Sequence, residues 1–465
     1  MEKILKGKKF FAFTKGLACF TGILLIMLAV FSCTNMLIRD GGSLIIALPG
    51  ARAATASRFT IELTGTNGTP KSQTLDGGTT AQFDDLAPDT YSIVVKGMDA
   101  SDSVVFYGTS SATVKAGERK SADVELKKGA SDFASLEAAV AAGGKVYIFE
   151  NIDVKSGLTV GTTVEILPAY QNVTLTNNSS ENLFTVDTNG NLTIGGGEHT
   201  ITLDGNTLSH HAIYMKNTGK ATLSRNAIIT NCGTASVKFY DYNTTAYFYL
   251  EGGSITGNNG SGVEISSNSE FYMNSGIIEK NKASNGGGVS LDGGKFYLNG
   301  GSITGNNASQ RGGGVNAGRG HLEMNGGYIT ENEATTDGGG VYFEKSIVMT
   351  GGYIGGNKSL SNSGNGVFHN GDNNGFEMSG SAVVAPDNDV YLNRYKTITI
   401  TGELTGGDTA ATITPNKTDG YTAGTQVLSA GDGVTLTEDI ISKFAVTPNG
   451  NTPWTIDTSG NLKEQ

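Results

Sequence analysis

Two carboxylates occupy equivalent positions of a repeated pattern and could act as an acid and a base. Asp292 and Glu344 each follow a recurring valine, Val289 or Val341, by three residues. At about 4.8 Å per stacked strand, two repeats would separate them by about 10 Å, near the far limit for inverting glycoside hydrolysis. Gly318 occupies the same position between them. We therefore expect solvated acids on an outer face and keep this pair only as weak catalytic candidates.

Three tyrosines recur in the same setting and could bind a partner. Tyr249, Tyr272 and Tyr297 each lie between two apolar residues, which predicts one outward slot on consecutive repeats. Stacked about 5 Å apart, they would form an aromatic ladder. Such a ladder either stabilises the sheet or presents a surface to sugar rings or to a protein. We take binding as the hypothesis.

Metal and cofactor chemistry has little support in the sequence. The pair His210-His211 could hold a metal, but no cysteine or acidic residue stands at ligand spacing, so we expect a surface loop. Three glycine runs lack the Lys-Ser/Thr of a phosphate loop: 286–288, 312–314 and 338–340. We therefore expect neither a metal nor a cofactor.

A repeat must position these candidates. The segments FYLEGGSITGNN, FYMNSGIIEKNK, FYLNGGSITGNN, LEMNGGYITENE and IVMTGGYIGGNK begin at residues 248, 271, 296, 322 and 347, and a fainter copy, FEMSGSAVV, begins at 376. Steps of 23 to 29 residues indicate a repeat architecture. One such unit cannot bury its own apolar face, so neighbours must stack on it. The sequence predicts an all-β chain with a right-handed parallel β-helix of three short strands per coil.

An asparagine follows the isoleucine of each predicted second strand by three residues. These asparagines are Asn258, Asn281, Asn306, Asn332 and Asn357. An inward amide can bond the equivalent amide of the next coil, so we expect a structural asparagine ladder.

The GGxI and asparagine-containing units resemble the repeats of the polymorphic outer-membrane protein family and related surface β-helices with the pectin-lyase-like fold. The resemblance covers about 248–380 well and about 144–247 weakly. It implies the β-helix directly and a role at a bacterial surface only by analogy.

Residues 1–32 resemble a lipoprotein signal peptide. Five lysines precede an apolar run from Leu17 to Phe31, which is shorter than the about 20 residues of a transmembrane helix. The run ends in Val30-Phe31-Ser32-Cys33, which resembles a bacterial lipobox with Cys33 as the lipidation site, although Phe31 departs from the commonest pattern. We expect a lipid anchor at the outer membrane or cell surface of a bacterium. An ordinary signal peptide and an uncleaved anchor are the alternatives.

The charge and the cysteines narrow the possible partners. The net charge is −11, and the lysine-rich first 32 residues leave the remainder near −15. Such a surface disfavours nucleic acid. Beyond the leader only Cys33 and Cys232 occur, so the sequence supports no disulfide framework, and we expect Cys232 to be a small core residue.

The remaining segments complete the predicted domains. Residues 42–127 alternate apolar and polar residues between turn signals, which predicts a small antiparallel β-sandwich. Its segment FDDLAPDTYSIVVKG resembles a corner of prealbumin-like and collagen-adhesin B-type repeat domains, with Asp89 in place of the usual glycine, and implies a spacer. The predicted order is a signal peptide (1–32), a tether (33–41), the spacer (42–127), a helical cap (128–143), the β-helix (144–405) and a C-terminal β cap (406–465).

These features together predict a surface-anchored lipoprotein that acts as an adhesin or binding scaffold for host or community glycans or proteins. A polysaccharide lyase or hydrolase on the same β-helix is the alternative, and a passive structural surface component is a second. A smooth sheet face with the tyrosines favours binding, whereas a loop-lined cleft with clustered acids favours an enzyme.

Overall fold

The chain is all-β and divides into two compact units. The computed structural model describes residues 41–48, 56–66, 68, 70–240, 244–266, 268–371, 375–418 and 420–465. The first unit runs to residue 100 and includes 108–126, and the second comprises 101–107 and 127–465. The predicted fold class, a parallel β-helix preceded by a small antiparallel β structure, is confirmed.

The described part of the first unit consists of seven strands of five to eleven residues, and burial alternates along β1, β2 and β5. They are β1 (Gly42–Ala47), β2 (Arg58–Thr64), β3 (Lys71–Leu75), β4 (Thr80–Leu86), β5 (Asp89–Met98), β6 (Val104–Val114, shared with the second unit) and β7 (Arg119–Asp123). Strand β2 pairs antiparallel with β3 and β5, and β1 pairs antiparallel with β4. One pair, β1 with β7, is parallel, which the sequence did not predict. Phe59, Ile61 and Leu63 of β2 are buried because successive side chains of a strand point to opposite faces.

Two side chains hold the corner that precedes β5. The Tyr91 hydroxyl donates to the Ala87 carbonyl at 3.0 Å. The Asp89 carboxylate accepts from the Thr66 backbone N–H at 2.7 Å and from the Thr66 hydroxyl at 2.6 Å. Asp89, which replaces the usual glycine of the resembled corner, therefore ties this corner to the loop after β2.

Strand β8 (Lys127–Ala130) and helix α1 (Phe133–Ala142) precede the first coil. The Asp132 carboxylate caps the helix by accepting from the Ser135 N–H at 2.8 Å, and the helix ends at Gly143, whose φ is +77°. Leu136 and Val140 are buried in the same cluster as the first coils. The helix thus covers apolar side chains that an open coil would expose.

The second unit continues as a parallel β-solenoid of about ten turns, from about residue 152 to 430. Its early strands are β9 (Gly144–Ile148), β10 (Ile152–Val154), β11 (Leu158–Val160), β12 (Thr163–Pro168), β13 (Val173–Asn177), β14 (Phe184–Val186), β15 (Asn191–Ile194), β16 (Ile201–Asp204), β17 (Ile213–Met215), β18 (Lys220–Ser224), β19 (Ala227–Thr230) and β20 (Val237–Phe239). The repeats that are clear in sequence form β21 (Tyr247–Thr256), β22 (Val263–Ser266), β23 (Glu270–Glu279), β24 (Lys282–Ala283), β25 (Val289–Asp292), β26 (Lys295–Leu298), β27 (Ser302–Thr304), β28 (Asn307–Ala308), β29 (Val315–Ala317), β30 (His321–Met324), β31 (Tyr328–Thr330), β32 (Glu333–Ala334), β33 (Val341–Phe343), β34 (Ser346–Met349), β35 (Tyr353–Gly355), β36 (Lys358–Ser359) and β37 (Val367–His369). The last strands are β38 (Phe376–Gly380), β39 (Val383–Val384), β40 (Asp389–Leu392), β41 (Ile398–Leu404), β42 (Ala411–Pro415), β43 (Leu428–Ala430), β44 (Phe444–Val446), β45 (Trp454–Ile456) and β46 (Leu462–Glu464), with a short helix α2 (Glu438–Ser442) between β43 and β44.

Equivalent strands of successive coils pair in parallel with the sequence repeats in register. Phe248 lies beside Phe271, and Phe271 beside Phe296. The valine strands form a twelve-stranded sheet in which Val263 pairs with Val289. In four coils a two-residue strand (β24, β28, β32 or β36) adds a further small sheet to the three strands that the sequence predicted. The inward side chains of these coils form one continuous apolar core.

The predicted asparagines form a buried amide ladder. Each donates from Nδ2 to the Oδ1 of the next, at 2.8 to 3.0 Å. Asn388, which the sequence analysis missed, continues the ladder by accepting from Asn357 at 3.0 Å. The Oδ1 atoms of Asn281, Asn306 and Asn332 also accept the backbone N–H of the preceding asparagine of the ladder. The Nδ2 atoms of Asn281 and Asn306 also donate to an isoleucine carbonyl one coil earlier. The amides are therefore satisfied within the interior, as buried polar groups must be.

Glycines are required where the coils turn before the valine strands. Gly312 has a φ of +64°, and a Cβ on the adjacent Gly313 would lie 2.4 Å from the Gly339 carbonyl oxygen. A side chain at either position would strain the backbone or separate the coils. These runs thus serve close coil stacking.

Parallel pairing continues past residue 405, where the sequence repeat fades. Strand β41 pairs with β43, and β42 with β44. A final antiparallel hairpin, β45 with β46, places Ile456 and Leu462 against the solenoid core.

Candidate functional site

The three tyrosines lie in register on one outward face of the solenoid. Strands β21, β23 and β26 pair so that Tyr249 lies beside Tyr272, and Tyr272 beside Tyr297. The ring centroids are 5.2 Å apart for the first pair and 4.6 Å for the second, with interplanar angles of 11° and 8°. The tyrosines are half-buried. The register ends the ladder at Thr222 on one side and at Glu323 on the other.

The stacking decides what the tyrosine ladder offers to a ligand. Nearly parallel rings at this distance cover each other's faces, so solvent meets mainly ring edges and hydroxyl groups. The Tyr272 hydroxyl donates to the Glu270 carboxylate. Burial raises the pKa of both Tyr249 and Tyr272 above the ordinary phenol value, so these hydroxyls stay protonated and can donate. The ladder is therefore a row of hydrogen-bonding groups rather than a flat platform.

A column of polar side chains runs beside the ladder, two residues further along each strand or turn, and the sequence analysis missed it as a column. It consists of Glu251, Asn274, Asn299, Asn325 and Thr350. Asn274 donates to Glu251 at 2.6 Å, Asn299 to Asn274 at 2.8 Å, and Asn325 to Asn299 at 3.1 Å. The sequence could have predicted this column, because side chains two residues apart on a strand point to the same face, which here is the face of the tyrosines. Most of these side chains are exposed, so this surface polar column adds amides and a carboxylate to the tyrosine face.

The two weak catalytic candidates each lie beside an arginine. Asp292, at the end of β25, accepts from Arg319 at 3.2 Å. Glu344, directly after β33, accepts from the Tyr342 hydroxyl at 2.6 Å and lies 3.5 Å from Arg311. Arg311 also stacks over the Tyr342 ring, with its guanidinium carbon 4.8 Å from the ring centroid. These contacts give both carboxylates a role in ion pairs between coils.

His210 and His211 follow a turn of an early coil, and both side chains are partly buried. Its Nδ1 lies 2.6 Å from the Ala235 carbonyl oxygen, and its ring stacks on Tyr214 at 5.4 Å. Burial is the main cause that lowers the pKa of His211. Over the described ranges, no three His, Cys, Asp or Glu side chains cluster as metal ligands. Both histidines lie in the loop between β16 and β17, as expected, and His211 also packs against the neighbouring coil.

Cys232 is a free thiol buried in the solenoid core, and burial raises its pKa to about 11. The predicted signal peptide and the predicted lipidation site, Cys33, lie outside the described residues. Within the part of the chain that is described, no helix has the length and apolarity needed to cross a bilayer.

Comparisons of this chain with protein-family models, with curated proteins and with solved structures find no match.

Proposed function

We propose that this protein is a surface-anchored binding scaffold, an adhesin that holds a glycan chain across the face of the tyrosine ladder. The observation that carries this proposal is the side-by-side arrangement of three stacked tyrosines and the surface polar column on consecutive coils. A sugar chain carries many hydroxyl groups, and such a face offers donors and acceptors at the coil spacing of about 4.8 Å. Host or community proteins are the second class of partner.

The proposed cellular location follows from the pattern of residues at the N-terminus. Basic residues, a short apolar run and Cys33 support export followed by lipid attachment at the outer membrane or cell surface of a bacterium. The first unit would then act as a spacer, in keeping with its prealbumin-like corner, and the solenoid would present the face.

The test separates the hydroxyl groups of the tyrosine ladder from its stacked rings. Replacing Tyr249, Tyr272 and Tyr297 together with Phe retains three rings, and replacing all three with Ser removes them. If these hydroxyls bind sugar, capture on a glycan array should fall at least about tenfold in both variants, since each lost hydrogen bond costs about 0.5–1.5 kcal/mol.

Exposed tyrosines elsewhere on the solenoid supply the matched control. Tyr328 and Tyr353 are 57% and 38% exposed on the second-strand row, so their double change to Phe should leave capture intact. Unchanged capture by both triple variants, or equal loss in the control, would refute the assignment of this face.

A further inference from the structure

The tyrosine ladder adjoins a groove whose charge is opposite to that of the chain as a whole. Lys295, Arg319, His321 and Lys345 line this groove of about 470 Å³, together with Glu270. We propose that this basic groove binds the sulfate or carboxylate groups of an anionic glycan. The inference rests on the proposed function, because it names the class of glycan that the neighbouring face holds.

Successive coils bring these cations together. Lys295 begins β26 and lies in register with His321, which begins β30. Arg319 and Lys345 stand in the turns just before β30 and β34. With coils about 4.8 Å apart, three permanent cations fall within about two coil spacings, or about 10 Å. The solenoid therefore concentrates positive charge along one short edge.

Little negative charge within the groove balances these cations. Glu270 is the one carboxylate among the lining residues, and it accepts the Tyr272 hydroxyl. Arg319 pairs with Asp292 at 3.2 Å, but neither Lys295 nor Lys345 takes part in an ion pair between described residues. A concave basic site on a chain of net charge −11 attracts anions locally while the remaining surface repels them.

The groove and the tyrosine ladder share one face. Lys295 and Tyr297 are two residues apart on β26, so both side chains point outward. Glu270 belongs to the groove and bonds Tyr272, which joins the two surfaces directly. A sugar chain on the tyrosine face thus brings its anionic substituents within reach of the lysines, and ammonium groups bind such substituents through charge-assisted hydrogen bonds.

The test compares charged with neutral glycans. The full chain, kept in non-ionic detergent, is titrated against immobilised dextran sulfate, a polyuronate and neutral dextran of matched length. The variant Lys295→Gln/Lys345→Gln should lose at least about tenfold in affinity for an anionic glycan, and raising salt from about 0.05 to about 0.3 M should weaken wild-type binding. Which of the two anionic glycans binds tells sulfate from carboxylate.

A matched charge change supplies the control. Lys155 and Lys463 are exposed residues of the same unit, and Lys155→Gln/Lys463→Gln alters the net charge equally. Equal affinity of wild type for neutral and anionic glycans, or equal losses in the two double variants, would overturn the anionic assignment and leave glycan binding standing. If the protein bound none of these three glycans and none on the glycan array used to test the proposed function, both this inference and the proposed function would be overturned.

Discussion

The phenol rings of Tyr272 and Tyr297 stack with centroids 4.6 Å apart and planes 8° from parallel. Each ring hides one face of the other, and Tyr249 covers the remaining face of Tyr272. The central tyrosine therefore contributes packing through its ring, and in the proposed function it contributes recognition through its hydroxyl. These two roles can be separated by substitution.

We predict that Tyr272→Ser lowers the free energy of unfolding by about 1–3 kcal/mol, because two aromatic pairs worth about 0.5–1.5 kcal/mol each are lost. Tyr272→Phe keeps both ring contacts and should cost less than about 1 kcal/mol. Urea unfolding followed by circular dichroism measures both. Equal stability of the Ser and Phe variants would show that the stack contributes nothing to the sheet.

The buried ladder should be far more sensitive to substitution than the surface polar column. Asn306 accepts from the backbone N–H and the Nδ2 of Asn281, and it donates to Asn332 and to the Ile278 carbonyl. Asn306→Ala would leave several buried polar groups without a hydrogen-bond partner, so we expect the free energy of unfolding to fall by about 3 kcal/mol. The control, Asn299→Ala on the exposed column, should change it by less than about 0.5 kcal/mol. Similar midpoints in urea for the two variants would contradict this account.

A histidine in the core should make stability depend on pH. His369 is fully buried in an inward slot of β37, stacked on Phe343 at 4.5 Å. Burial, with Lys396 as a smaller cause, lowers the pKa of His369 to about 3. The unfolded chain, with a histidine pKa of about 6.5, binds this proton more readily, so stability falls as the pH drops from about 6.5 towards 3.

At pH 5 this single group should reduce the free energy of unfolding by about 2 kcal/mol relative to neutral pH. The variant His369→Leu lacks the titration and should lose correspondingly less stability between pH 7.5 and pH 5 in urea unfolding. The carboxylates titrate in both proteins and cancel in the comparison. A parallel loss in the variant would show that His369 does not carry the effect.

A second histidine, His321, should make anion binding by the basic groove depend on pH. Burial is the main cause that lowers the pKa of His321, whose Nδ1 lies 2.7 Å from the Ser346 hydroxyl. Lys295 disfavours its protonation, whereas Glu323 and Glu377 favour it. His321 is therefore neutral at pH 7, and acidification adds a cation to the groove. We expect affinity for dextran sulfate to rise as the pH falls below about 6.5, and we expect His321→Gln to bind independently of pH in that range.

The coil interior could be predicted from sequence because each inward slot repeats its residue type. Phenylalanine, isoleucine, valine and asparagine recur at fixed positions, and the structure places them in the core and in the buried ladder. The spacing did not predict Asn388 as part of the asparagine ladder, because it follows Val384 by four residues, one more than in the other coils. A search for asparagines at a fixed spacing therefore misses a coil that has one added residue.

The proposed binding face was less predictable from the sequence, because its residues do not occupy one equivalent position of the repeat. Lys295 begins a strand, whereas Arg319 and Lys345 lie in turns, so no single column of the repeat contains the cations. The tyrosines do share a column, yet their sequence positions do not show that the rings cover each other's faces. Such features depend on side-chain orientation and on turn geometry, which vary from coil to coil.

The central claim, that this solenoid binds glycans without cleaving them, is most directly tested on a glycan array probed with the full chain and read both for retained protein and for loss of the printed sugar. We predict retention on anionic glycans with no loss of sugar, and the same absence of turnover in Asp292→Asn/Glu344→Gln. Loss of printed sugar that disappears in this double variant would contradict the account and assign the two carboxylates to catalysis.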